Sequence, residues 1–217
     1  MRSAVLAVVV LCSLAGCSAD KGRLRPIEAP QVILSSDGRV AAAEDGGVRL
    51  VASGDSWKGN PFDLVRYLAP VEVVLENNSG RTLRIQYEDF ELVGEAHYAA
   101  LAPHTLAGLE PSSGSGVRMP SPPPTYSPYG RFNEEPRVNC YTCPPSGASR
   151  LPSEDMLRMA FPEGILKDGS SWTGFLYFQN PGAHERRATL QARLVDATTG
   201  ERFGTLSIPF RVHGSSR

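Results

Sequence analysis

Residues 70–94 read PVEVVLENNSGRTLRIQYEDFELVG, and this stretch decides the fold class. Pro70–Glu76 is a β-prone run, and Asn77-Asn78-Ser79-Gly80 turns the chain with residues that accept tight-turn geometry. After the turn, Leu83, Ile85 and Tyr87 share one face of an extended chain. The apolar phase then shifts to Phe90 and Leu92. Side chains of a strand alternate with period two, so a change of phase needs a bulge or bend near Glu88-Asp89, as when a strand leaves one sheet for another.

The same strand-and-turn grammar extends in both directions. Upstream, Gln31–Leu34, Arg39–Ala43 and Val48–Ser53 are short β-prone runs separated by Asp37-Gly38 and Asp45-Gly46-Gly47, which are hairpin signals. Downstream, Trp172–Phe178 (WTGFLYF) is apolar on both faces and reads as a central, buried strand. Ala188, Leu190, Ala192 and Leu194 alternate with polar residues, as do Leu206, Ile208, Phe210 and Val212. Pro209 inside the last run points to a sheet edge, because proline donates no ladder hydrogen bond. One short helix is expected: Ser153 caps it, Glu154 and Asp155 suit its first turn, and Pro162 stops it.

The whole chain has 217 residues, of which 41% are hydrophobic and 21% charged. Such a chain can fill a core, which excludes disorder throughout. Its 22 Lys+Arg face 23 Asp+Glu, so no net field gathers nucleic acid. Half of the 18 prolines fall between Pro120 and Pro152. Residues 111–150, with PSPPP, YSPY and CPPSG, therefore form an insertion that cannot supply central strands. The expected architecture is all-β: an immunoglobulin-like antiparallel β-sandwich over residues 31–217, with one short helix and this Pro-rich loop insertion.

The N-terminus carries an address. Arg2 precedes an apolar run, Ala4–Leu11, far shorter than the roughly 20 residues that span a bilayer, but of the length of a secretory signal core. It ends Leu14-Ala15-Gly16-Cys17, which resembles the lipobox of bacterial lipoproteins. The resemblance implies a signal peptide over residues 1–16 and palmitate-type acyl chains on Cys17. It further implies anchoring in the cell envelope, with Ser18 pointing to the outer membrane and its periplasmic side. Residues 17–30 read as the lipidated N-terminus and a flexible tether.

A second resemblance concerns the body. Asn77, Leu83, Ile85, Tyr87, Phe90 and Leu92, followed by Gly174, Leu176, Phe178 and Pro181, resemble the pattern of telokin-like, immunoglobulin-type domains in secreted bacterial lipoproteins of unknown function. These positions are structural. The resemblance implies fold and location, and carries no catalytic residue across.

No catalytic motif stands out. His97, His104, His184 and His213 are scattered singly, and neither a nucleophile elbow, HExxH nor a phosphate loop is present. Glu88, Asp89 and Glu91 lack the calcium-loop pattern and lie near Arg81 and Arg84, which favours a charge-balanced sheet face over a cation site. Cys140 and Cys143 form a CxxC in the insertion. In an oxidising compartment they are expected to close a structural disulfide. A redox-active pair is the alternative, and a zinc site lacks further ligands at suitable spacing. Tyr126, Tyr129, Phe132 and Tyr141 interleave with prolines, either as a partner-binding segment or as anchors packed on the sandwich.

The sequence thus predicts a non-enzymatic, lipid-anchored binding or structural module for another envelope component, with residues 120–145 as the contact surface. A thiol-disulfide or assembly-helper role of Cys140 and Cys143 is the alternative. No cofactor, nucleic-acid partner or small-molecule substrate is expected.

Overall fold

The computed structural model describes residues 23–107, 151–182 and 184–213. Its strands are β1 (Arg23–Pro26), β2 (Val32–Leu34), β3 (Ala41–Asp45), β4 (Val48–Ser53), β5 (Leu68–Asn77), β6 (Leu83–Ile85), β7 (Phe90–Val93), β8 (His97–Ala99), β9 (Gly164–Leu166), β10 (Ser170–Gln179), β11 (Arg187–Asp196) and β12 (Arg202–His213). One helix, α1, covers Glu154–Arg158. The chain is an all-β, immunoglobulin-like sandwich of two antiparallel sheets. One sheet runs β10-β5-β4-β3-β2. The other runs β1-β12-β11-β6-β9, with β7 also on β11 and β8 on β7.

The period-two runs become the two inner faces. Leu50, Val73, Leu75, Leu176 and Phe178 from one sheet meet Leu83, Leu92, Leu190, Ile208 and Phe210 from the other in a single core. Between β3 and β4 the chain reverses through Gly46 and Gly47, with φ of 55° and 80°. Two successive positive φ values make the mirror-image turn whose twist matches paired strands. Asn77 is fully buried and satisfied. Its Nδ2 donates to Arg81 C=O at 2.7 Å and Leu166 C=O at 3.2 Å, and its Oδ1 accepts from Ser79. The turn after β5 is thereby tied to β9.

Four expectations need correction. The stretch 17–30 is not a tether along its whole length: Arg23–Pro26 pairs with β12 from Arg23↔His213 to Pro26↔Phe210, and Leu24 is buried in the core. The bend near Glu88-Asp89 exists, as a 3-10 turn over Tyr87–Asp89. It does not change sheets, because β6 and β7 both pair with β11, at Val195-Asp196 and at Thr189–Ala192.

The strand around Trp172–Phe178 is terminal in its sheet rather than central. Its second apolar face is covered by residues of the connecting loops and α1, such as Leu64, Leu106, Leu151 and Met156, and its free edge takes single bridges from Leu101 to Tyr177 and from Ala160 to Phe175. Pro209 does not mark an edge strand, since β12 lies between β1 and β11. Its C=O accepts from Ile27 N at 2.9 Å, one residue past the end of β1. A residue's N and C=O point to the same side in an antiparallel ladder, so the missing donor falls where β1 has already ended.

The helix is capped as expected, with Ser153 Oγ accepting from Met156 N at 3.2 Å. It stops before Pro162. Met159 C=O accepts from Phe175 N at 2.8 Å and Phe161 N donates to Phe175 C=O at 2.9 Å, so the chain leaves the helix to run beside β10.

Candidate interaction surface

The outer face of β10 and the start of β5 carry a second, smaller core. Leu64, Leu68, Leu106, Leu151, Met156, Phe175 and Tyr177 are buried together, with Trp57, Leu101 and Met159 partly buried against them. Three loops meet here: residues 54–67, residues 100–107, and residues 151–161. The Trp57 ring stands edge-on to Phe175, with centroids 5.1 Å apart, and its Nε1 donates to Pro61 C=O at 2.9 Å. Tyr177 donates its hydroxyl to Met156 C=O at 3.0 Å, and burial raises its phenol above the ordinary value.

The first loop is fastened to α1. Asn60 donates both its backbone N, at 2.8 Å, and its Nδ2, at 3.1 Å, to Asp155 Oδ2, while Ser153 Oγ donates to Asn60 C=O. The backbone donor from Asn60, more than any other contact, holds the Asp155 carboxyl below its usual range.

This rigid base displays apolar side chains outward. Phe62 is 86% exposed, Leu157 52% and Tyr67 39%. The insertion is rooted on the same base: the chain leaves at Ala107, just past Leu106, and returns at Leu151, both of which belong to the small core. Cys140, Cys143, Tyr126, Tyr129, Phe132 and Tyr141 lie outside the described residues, as does Cys17. The sequence reading passed over Phe62 and Tyr67, and it paired Leu157 with Phe161 as packing residues of the short helix, whereas Leu157 is exposed. A run such as NPFDLVRYL has no period-two alternation, and the only available signal was an aromatic beside a turn-forming Asn-Pro.

The acidic cluster is an ion-pair network on the outer face of the other sheet. Asp89, 4% exposed, lies 3.8 Å from Arg84 Nη2 and 3.9 Å from Arg193 Nε. Arg193 also reaches Glu91 at 3.3 Å and the C=O of Glu88, and Arg81 pairs instead with Asp196 at 3.8 Å. Because β6 and β11 are adjacent, with Arg84 opposite Val195, the two guanidinium groups converge on the 3-10 turn. Among the described residues no group of three or more His, Cys, Asp or Glu is arranged to hold a metal ion. His97 sits 3.5 Å from Glu91, and His104 and His184 are exposed.

Burial lifts the Asp89 carboxyl above its ordinary value, and Arg84 and Arg193 only partly offset this. The folded state therefore holds the proton more tightly than the unfolded chain does. The contribution of this group to stability is full below the ordinary carboxylate pKa and is lost as pH rises through the raised one. Asp89→Asn removes that dependence. Urea unfolding of both proteins between about pH 4 and 7 is expected to show the variant gaining stability relative to the parent as pH rises. A difference that is flat with pH, or falls, contradicts the assignment.

Comparison with protein-family models, curated protein sequences and solved structures finds no match to this chain.

Proposed function

We propose that this chain is a lipid-anchored cell-envelope protein, held by acyl chains on Cys17, that acts as a non-catalytic binding or structural module for another envelope component. The anchor reading rests on the lipobox resemblance of Leu14–Cys17, and the outer-membrane, periplasm-facing placement on Ser18. The assignment to telokin-like domains rests on Asn77 through Leu92 and on Gly174 through Pro181.

One observation carries the binding role. The Pro-rich, aromatic insertion leaves and re-enters the fold on one base, the small core that holds both Leu106 and Leu151. Rigid aromatic groups cost little entropy to order, and stiff Pro-rich chain between fixed roots does so too. The sandwich then acts as a mount, and residues 120–145 form the contact surface.

The test is crosslinking in intact cells followed by affinity capture and quantitative mass spectrometry. It compares the parent chain with a deletion of 111–150 and with Cys17→Ala. The expected result is a specific envelope protein that falls by about tenfold or more in both variants, equivalent to roughly 1.4 kcal/mol. Capture of that protein unchanged by the deletion overturns the role of the insertion.

A further inference from the structure

The end of the sandwich from which the chain leads toward Cys17 is also the end that displays its apolar side chains. Leu24 of β1 bridges Gly54, which opens the loop bearing Trp57 and Phe62. The approach is close: a Cβ on Gly54 would lie 2.4 Å from Leu24 C=O. At this end β4 finishes, and the pair Leu68↔Gln179 starts β5 and finishes β10. Tyr67 precedes Leu68, and α1 with Leu157 is tied to the loop through Asn60 and Asp155. Of the five large apolar side chains exposed among the described residues, Phe62, Tyr67 and Leu157 are gathered here. Ile33 and Ile165 stand elsewhere, on β2 and β9.

We propose that this end rests on the lipid bilayer, with Phe62 and Leu157 in the boundary between headgroups and acyl chains and Tyr67 at headgroup level. The inference rests on the reading of Cys17 as the lipid-bearing residue.

The length of chain from anchor to fold decides the orientation. Six residue steps separate Cys17 from Arg23, a reach of no more than about 22 Å when fully extended. A ten-residue strand such as β5 or β10 is about 33 Å long. Such a connection cannot run the length of the sandwich, so the opposite end cannot be turned down to the membrane. The loop 54–67 lies on the side that the connection keeps near the lipid.

The chemistry of this end suits an interface of that kind. Apolar side chains enter the acyl boundary, and an aromatic with a polar tip sits at headgroup depth. Of the nearby cations, Arg66 pairs with Asp63 at 3.8 Å and Arg158 with Asp155 at 2.8 Å, while Lys58 is exposed beside Trp57 and suits the headgroup level. Contact is driven chiefly by apolar burial. The exposed groups stand on a loop, just past the 3-10 turn Leu64–Arg66, and on a short helix rather than on a flat sheet face, which favours a fluid bilayer over a self-complementary second copy.

The experiment uses the full chain, purified with its native N-terminus and reconstituted in vesicles of phosphatidylethanolamine and phosphatidylglycerol. Amide hydrogen exchange is compared with that of Cys17→Ala in solution. Residues 58–68 and 154–159 are expected to exchange at least about fivefold more slowly in the vesicles, while the turns at Gly46-Gly47 and Thr198–Gly200, at the opposite end, exchange alike in both. Phe62→Asp in the anchored chain is expected to restore fast exchange.

Equal exchange in an anchored chain overturns the orientation. So does protection that vanishes on diluting protein among vesicles, which assigns the surface to a second copy. Protection that persists in solution and is lost on deleting 111–150 also overturns it, by assigning the surface to the insertion. The mass of the N-terminal peptide separates the two levels: a peptide without acyl chains overturns the anchor reading itself, and this inference with it.

Discussion

Phe178→Ala is expected to lower the free energy of unfolding by about 3–5 kcal/mol, the range for removing a large aromatic from a packed core. Phe178 is fully buried on the inner face of β10, opposite Ala69 across the ladder and within the core shared by both sheets. The strand around it is held along its length by β5, so its backbone cannot collapse inward to fill the space left by the ring. A domain of this size shifts its melting temperature by about 2–4 °C for each kcal/mol, which places the variant about 6–20 °C below the parent. Equilibrium urea unfolding is the check. The midpoint should fall with little change in slope, whereas Gln179→Ala at the exposed neighbouring position should leave it within about 0.5 kcal/mol. Equal midpoints for Phe178→Ala and the parent refute the packing described for this core.

Gly174→Ala is expected to destabilise by about 2–3 kcal/mol, a large effect for the addition of one methyl group. Gly174 sits where the chain leaving α1 crosses β10. A Cβ there would lie 2.6 Å from Phe161 Cα, 2.7 Å from Phe161 N and 2.8 Å from Ala160 C=O. All three are main-chain atoms, so no side chain can swing aside to make room. The crossing must open, and with it the bonds that Phe175 makes to Met159 and Phe161. Glycine is required here by close approach and not by its backbone angle. Limited proteolysis distinguishes this from a general loss of stability: the first cut should move into residues 151–161, with the sandwich still intact. Addition of a methyl at Gly182, which has open space around its Cβ position, should be silent.

The regular strands were legible in the sequence because burial on one face leaves a period-two trace. Val48–Ser53 matches its strand end to end, and the alternating residues of β11 and β12 are the buried ones. The turn at Gly46-Gly47 was legible because few residues other than glycine adopt two successive positive φ values.

Where the reading failed, the missing information was tertiary. RLRP offers only two inward residues, Leu24 and Pro26, alternating with arginines that look like linker; only pairing with β12 makes it a strand. WTGFLYF has two apolar faces for either of two reasons, a neighbouring strand or a cover of loops, and the sequence cannot tell them apart. The base that displays Phe62 is assembled from three segments far apart in the chain. No window of local sequence contains it. The residues singled out for their chemistry, Cys140, Cys143 and the tyrosines of the insertion, lie outside the described residues.

The pairing of β1 with β12 also sets an order of events. Arg23 finds its partner at His213, at the far end of the described chain, so this ladder closes the longest loop in the fold. Synthesis delivers β1 first and its partner last. Until residues 210–213 have emerged, Leu24 has no strand to lie against, and the bridge from Leu24 to Gly54 lacks the ladder that supports it. Closing so distant a contact is slow compared with forming the β3-β4 hairpin. The growing chain therefore remains unlocked until residues 210–213 have emerged, and a truncation before residue 210 takes Phe210 and Val212 out of the core and leaves the first strand without its partner.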